Sequence, residues 1–419
     1  MAADRPPRHT PEQRRRRAEI LSAASGFTDR APTPSDGGGV MSRYFSRVDA
    51  RPRNLVMQPT GFCNLDCTYC YLPNRNDKTP MPVEVSEAVA RSAAALVGPA
   101  GSKPLGVIWH AGEPLALGTR RFTELLQPFE SLRQAGRLEH AIQTNATLIN
   151  DDWCDLFTNH GFRVGVSIDG PPDLSARRVD RRGRPAFDRI LRGIDKLRER
   201  EVPFSLIAVV SRESITHPGP LMDFLADLGP VNIGLNIEEY EGVNTGRTPP
   251  TREEALTFWR RVIGWTRRQP ADAPSVRELD RLGRYLRMTR TQRDDRAERS
   301  RIDPLPTISK NGDVYLLSPE LAGINDQAYQ DFRAGNVLEQ PLTAILDGAY
   351  RLRYVEEFLD GLDECELTCE FFDYCRGSQA GNRYFEHHTF TKSETNYCRV
   401  AEQAPVLALA DIIHQEESA

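Results

Sequence analysis

Residues 61–73 read GFCNLDCTYCYLP. Cys63, Cys67 and Cys70 stand at C-x3-C-x2-C spacing, with Tyr69 just before the third. Three thiolates this close, with no fourth ligand beside them, fit a [4Fe–4S] cluster that keeps one iron open, because closed clusters normally take four cysteines. An open iron points to chemistry on a chelating small molecule rather than to storage. A zinc knob completed by a distant fourth cysteine is the alternative.

Outward from this loop the chain alternates between two patterns. Short β-branched, apolar runs occur at 54–58, 106–110, 141–144, 163–168, 204–210 and 231–237. Between them, helical periodicity covers 83–97, 119–134, 151–159, 187–200 and 219–228. Strands separated by helix-length crossovers predict an α/β fold, a parallel sheet with helices outside. Their number suits a partial (β/α)6 barrel rather than a closed eight-unit one. In such barrels chemistry gathers on loops at the carboxyl ends of the strands, where the polar motifs of this barrel fall. Residues 251–301 read as two charged, Arg-rich outer helices, with interspersed acids that mark a solvated face. The expected division is an extension at 1–50, a barrel at 51–301 and a second domain at 302–419.

Residues 1–40 are rich in Arg, Pro, Ser and Gly and bury too little apolar surface to fold, so disorder is expected there. Met41 is a possible start. Arg14–Arg17 precede only a weakly apolar stretch, a poor export signal. Apolar content of 39% supports a core, and the formal net charge of −5 disfavours nucleic acid as a partner. No apolar run approaches the roughly 20 residues of a membrane span, so no membrane partner is expected. Of 8 cysteines, three lie at 63–70 and four at 365–398. Clusters of this kind in a reducing cytoplasm, the expected location, read as metal sites rather than disulfides. Cys154, alone in NDDWCDLF, reads as a buried structural thiol.

The cysteine loop resembles that of the radical S-adenosylmethionine (SAM) superfamily. The resemblance implies a partial (β/α)6 radical SAM barrel whose open iron binds the amino and carboxylate groups of SAM. Reductive cleavage of SAM then gives a 5′-deoxyadenosyl radical, so the cofactors carry the hard chemistry. Tyr69 would lie near the adenine. WHAGEP (109–114) resembles the GGEP motif of the family, with Ala111 for the first glycine. Glu113 would accept a hydrogen bond from the SAM ammonium group, and Gly112 would let backbone come close. Thr144 and Asn145 in QTNATLIN would face the methionyl moiety or the substrate; Asn145 is equally a cap or turn residue. Ser167 and Asp169 match positions that contact ribose or substrate, although Asp169 before Gly170-Pro171 also reads as a turn. Arg178 best matches a carboxylate-binding arginine, but the adjacent Arg177, Arg181 and Arg182 leave the register open beside a solvated basic loop.

Cys365, Cys369, Cys375 and Cys398 supply four thiolates for one closed centre, a [4Fe–4S] cluster in preference to zinc. Their spacing resembles the second auxiliary cluster of SPASM domains, the C-terminal extensions of peptide-modifying radical SAM enzymes. Gln379 stands where a further ligand would follow Cys375, and no cysteine lies between Cys154 and Cys365, so one auxiliary cluster is expected. That departure argues against a sulfatase-maturing enzyme. GLNIEEYEG (234–242), the run at 314–338 and NRYFE resemble cyclophane-forming peptide maturases of the Grr type. This implies a ribosomal precursor peptide as substrate and an external electron donor such as flavodoxin or ferredoxin. In that scheme an aromatic ring carbon is joined to the β-carbon of a nearby residue. Thioether formation, epimerisation and side-chain oxidation are alternatives, and a zinc-bearing peptide-binding module is a remote one. Aromaticity is restored by loss of an electron and a proton, so a base is needed. Glu238 and Glu239 end the sixth strand, and alternation would turn only one of them inward. Glu320 lies nearby in SPEL, and His387 and His388 read as surface residues.

Overall fold

The computed structural model describes residues 37–99, 101–244, 246, 248–290 and 301–418. Its strands are β1 (Asn54–Met57), β2 (Leu105–Trp109), β3 (Leu138–Thr144), β4 (Arg163–Ser167), β5 (Phe204–Val210), β6 (Asn232–Ile237), β7 (Ser275–Val276), β8 (Thr307–Ile308), β9 (Asp313–Tyr315) and β10 (Gly335–Asn336). They form one sheet in the order β10-β9-β8-β1-β2-β3-β4-β5-β6-β7. From β8 to β7 every neighbouring pair is parallel, in registers such as Leu55↔Val107, Ile108↔Ala141 and Ala208↔Leu235. Six strands thus sit where the apolar runs predict them, and all six end at the same edge.

Helices cover the outside of the sheet because each carries an apolar stripe. In Val83–Leu96 the buried residues include Val85, Ala88, Val89 and Leu96, and in Phe187–Glu199 they are Ile190, Gly193, Ile194 and Leu197. Asp151–His160 begins where the Asn150 side chain accepts from the Trp153 amide and ends at left-handed Gly161. Trp109 of β2 meets Phe122 edge-on at 5.0 Å, and Phe122 meets Trp153 at 5.4 Å. Cys154 is buried on the same helix.

Two expectations change. Arg14–Arg17 and the extension up to residue 36 lie outside the described residues, and within the extension expected at 1–50 the chain is helical over Gly37–Arg47. Arg43 and Arg47 explain the order of its second half: they pair with Asp360, Asp363 and Glu366 on the Arg353–Thr368 helix. The division expected at residue 302 is also no break in the sheet, since β8 continues it beside β1 with Val56↔Thr307. Of the outer helices expected over 251–301, Arg252–Arg267 and Arg277–Arg290 are present, and 291–300 lies outside the described residues. The Trp259 indole donates to Val400 O at 3.1 Å, tying the first of them to the C-terminal region.

Candidate active site

Beyond β1 the cysteine loop is fixed mainly by backbone contacts. The Asp66 and Thr68 amides donate to Val179 O and Arg177 O, at 2.8 and 3.1 Å, and Cys63 N donates to Arg75 O at 3.2 Å. From the β2 side, Glu113 N donates to Phe62 O at 2.7 Å. Gly112 has φ +58°, and a Cβ there would stand 2.5 Å from Phe62 O, so only glycine allows this approach. Ala111 has φ +79°, a strained value for an L residue at the position where the family motif carries glycine. Burial pushes the Cys63 thiol up to about 12 and the Cys67 thiol to about 11. Their thiolates therefore need a compensating cation, which a metal cluster provides.

The Glu113 carboxylate is 1% exposed and accepts from Thr144 Oγ1 at 2.7 Å, Asn145 N at 2.8 Å and Leu115 N at 3.1 Å. Burial outweighs these donors and raises it to about 7. Thr144 therefore supports Glu113. Asn145 takes its expected turn role, its Oδ1 accepting from Thr147 N at 3.1 Å, and its Nδ2 reaches Cys63 Sγ at 3.7 Å.

Asp169 accepts from Tyr69 Oη at 2.5 Å, Arg178 Nη2 at 2.7 Å and Val209 N at 3.0 Å. Both its oxygens are occupied, so it organises Tyr69 and Arg178, which line the cavity with Ser167. Ser167 Oγ accepts from Gln143 Nε2 at 2.8 Å. The basic run is not a solvated loop at its start: Arg178 is buried against Asp169, and Arg177 pairs with Glu238 at 3.0 Å and with Glu213. Buried Arg178 Nε has no hydrogen-bond partner among the described residues, which suits an anionic ligand.

A cavity of about 930 Å³ is lined by Cys63, Cys67 and Cys70 and also by Cys375 of the late set. Both Glu238 and Glu239 line it, against the expected alternation, because β6 stops at Ile237 and the pair lies beyond the pleat. Glu238 is held by Arg177, whereas Glu239 accepts from Asn382 Nδ2. Glu241 and Glu320 join Glu239 there; burial, then the neighbouring carboxylates, hold Glu239 and Glu241 well above the usual carboxylate range, and burial raises Glu320. Sequence reading missed Glu241, signalled only by a third acid in EEYEG, and His110, which burial lowers to about 4 and so keeps neutral. Asn382 opens the NRYFE run singled out by resemblance, but nothing local tied it to Glu239, because it arrives from a remote helix.

Among the late cysteines, Cys365 lies in Arg353–Thr368, Cys369 caps it, Cys375 ends Phe372–Cys375 and Cys398 begins the Cys398–Gln403 turn of helix. Cys365 and Cys375 both feel the charges of Cys369 and Cys398. Among the described residues no three His, Cys, Asp or Glu side chains are grouped to share one metal ion. His387 and His388 are exposed and stand apart from the cysteines' polar contacts.

A family model described as the radical SAM superfamily matches residues 57–225. Over 358 residues the chain is 32% identical to an uncharacterized protein of Synechocystis sp., covering 83% of this chain and 89% of that one. The chain belongs to the radical SAM superfamily. It is therefore an enzyme of the kind that works with a [4Fe–4S] cluster and SAM, and the first cysteine loop of this radical SAM enzyme fits that cluster. It is also 38% identical over 185 residues to a serine-type anaerobic sulfatase-maturating enzyme of Klebsiella aerogenes, covering 42% of this chain and 45% of that one. Of this relative the match thus spans less than half the length. The radical SAM enzyme shares its fold with Streptococcus suis SuiB bound to precursor peptide SuiA, at 18% identity, 91% of this chain, 86% of that one and TM-score 0.57. No helix among the described residues is long and apolar enough to cross a membrane.

Proposed function

We propose that this enzyme matures a ribosomally made precursor peptide in the cytoplasm by joining an aromatic ring carbon to the β-carbon of a nearby residue. The observation that carries the reading is one cavity bordered by Cys63, Cys67 and Cys70 and by Cys375 of the late set, with Glu238, Glu239, Glu241 and Glu320 in the same lining. When bound, the clusters and SAM supply a 5′-deoxyadenosyl radical at Cys63, Cys67 and Cys70 and an electron acceptor at Cys365, Cys369, Cys375 and Cys398. Glu113 holds the amino group of SAM, Arg178 its carboxylate, and Tyr69, Asn145 and Ser167 border the rest of that ligand. Glu239, raised by burial and neighbouring acids, takes the ring proton. Residues 302–419 act as the auxiliary-cluster region, and a flavodoxin or ferredoxin delivers the reducing electron. The SuiB structure, which holds a precursor peptide, supports the peptide class.

Likeness to the sulfatase-maturating relative favours a second reading, oxidation of a single side chain. The late cysteines stand against it, since they complete only one auxiliary centre. Mass spectrometry of a neighbouring precursor co-expressed with this chain decides. A loss of about two mass units, with no fragments between an aromatic and a nearby residue, is expected. A carbonyl-reactive product that fragments throughout would establish the second reading instead.

A further inference from the structure

Arg383 is 1% exposed and has no carboxylate partner among the described residues, unlike Arg177 and Arg178, which pair with Glu238 and Asp169. Its guanidinium donates to Phe390 O at 3.2 Å, Gly377 O at 3.0 Å and Cys365 Sγ at 3.2 Å, and lies 5.0 Å from the centre of the Phe358 ring. Its place is built into the neighbouring helix. A Cβ on Gly361 would stand 2.0 Å from Arg383 Nη1, so the glycine inside Arg353–Thr368, unfavourable in itself, admits the guanidinium. A buried cation whose partners are carbonyls, one thiol and a ring is poorly compensated. Four thiolates holding an iron–sulfur group carry the missing negative charge.

We infer that Arg383 is a positioning residue that acts as counter-charge to the late cysteine set and raises the reduction potential of the cluster bound there. The inference rests on reading Cys365, Cys369, Cys375 and Cys398 as cluster ligands. Reduction makes such a group more negative, and a cation hydrogen-bonded to a ligating sulfur favours that state. An electron acceptor in the proposed reaction needs this bias.

The test uses the full chain, reconstituted anaerobically, with Cys63, Cys67 and Cys70 replaced by Ala so that only the late set holds iron. Its midpoint potential is followed by electron paramagnetic resonance. Arg383→Met is expected to lower the reduced-to-oxidised ratio at fixed potential by at least about tenfold, a shift of about 59 mV for one electron. Arg383→Lys keeps the charge and shifts it less. Loss of late iron in Arg383→Met but not in Arg383→Lys also supports the charge role. An iron-loaded Arg383→Met protein with unchanged potential overturns the inference, as does equal loss of iron in both variants. Absence of late iron with Arg383 intact removes the reading of the cysteines, and the inference with it.

Discussion

Cys63, Cys67 and Cys70 lie on one loop held by backbone bonds at the edge of a parallel sheet, whereas the late four come from helix ends more than 30 residues apart. The surroundings of the sulfurs differ as well. In the first set the donors to sulfur fall on Cys63, from Leu65 N at 3.4 Å and Asn145 Nδ2 at 3.7 Å. In the late set Cys365, Cys375 and Cys398 each receive one, from Arg383, Gly377 N and Thr395 Oγ1. Donors to sulfur raise a cluster's potential. The contrast suits a centre that must give an electron to SAM and one that must take an electron from a substrate radical. On the proposed reading it also separates an open centre, beside Glu113 and Arg178, from one closed by four cysteines.

Removing each set breaks the comparison most directly. Replacing Cys63, Cys67 and Cys70 by Ala should abolish 5′-deoxyadenosine formation altogether, as measured by chromatography after anaerobic reconstitution. Replacing the late four should leave that product while peptide crosslinking stops and iron falls from about eight to about four per chain. Continued SAM cleavage in the first variant would sink the superfamily chemistry for this loop. Normal crosslinking in the second would remove the redox role of the late set.

A smaller effect separates the two acids between the centres. Glu239→Gln should slow crosslinking by about 10²-fold or more while 5′-deoxyadenosine still forms, because only the final proton acceptor is lost. Glu238→Gln instead removes one of the two carboxylates that hold Arg177, whose backbone carbonyl anchors the cysteine loop through Thr68 N, and should lower SAM cleavage and crosslinking together. If the two variants behave alike, the base lies elsewhere in the cavity.

The legibility of these regions differs for a physical reason. The six strands and the first cysteine loop are local patterns: period, spacing and a glycine wedge are written within a few residues of each other. Arg178 could be singled out only by resemblance, since four arginines in six residues look alike until Asp169, across a strand end, selects one. Glu239 and Glu238 were indistinguishable because their partners, Asn382 and Arg177, come from opposite directions in sequence. Arg383 stood inside the NRYFE run, but no role could be read for it there. Its meaning depends on an absent carboxylate and on a glycine 22 residues earlier, neither of which periodicity reports.

The smallest effect concerns the carboxylates themselves. Glu239, Glu241 and Glu320 are all held above the usual range, so the folded chain keeps protons there that the unfolded chain releases once pH passes about 4.5. Stability from these groups is complete below that pH and is lost as pH rises through their folded values. The melting temperature of the metal-free protein should therefore decline with rising pH in this window, and Glu239→Gln should blunt the decline. Its neighbours would gain too, because the Glu239 charge is one cause of the raised Glu241 value. The variant should melt like the parent in acid and above it near neutrality, by a few degrees. Parallel curves would mean that Glu239 is already ionised and solvated in the fold. An ionised, solvated Glu239 would still take the ring proton, but as an ordinary carboxylate rather than as a base strengthened by burial.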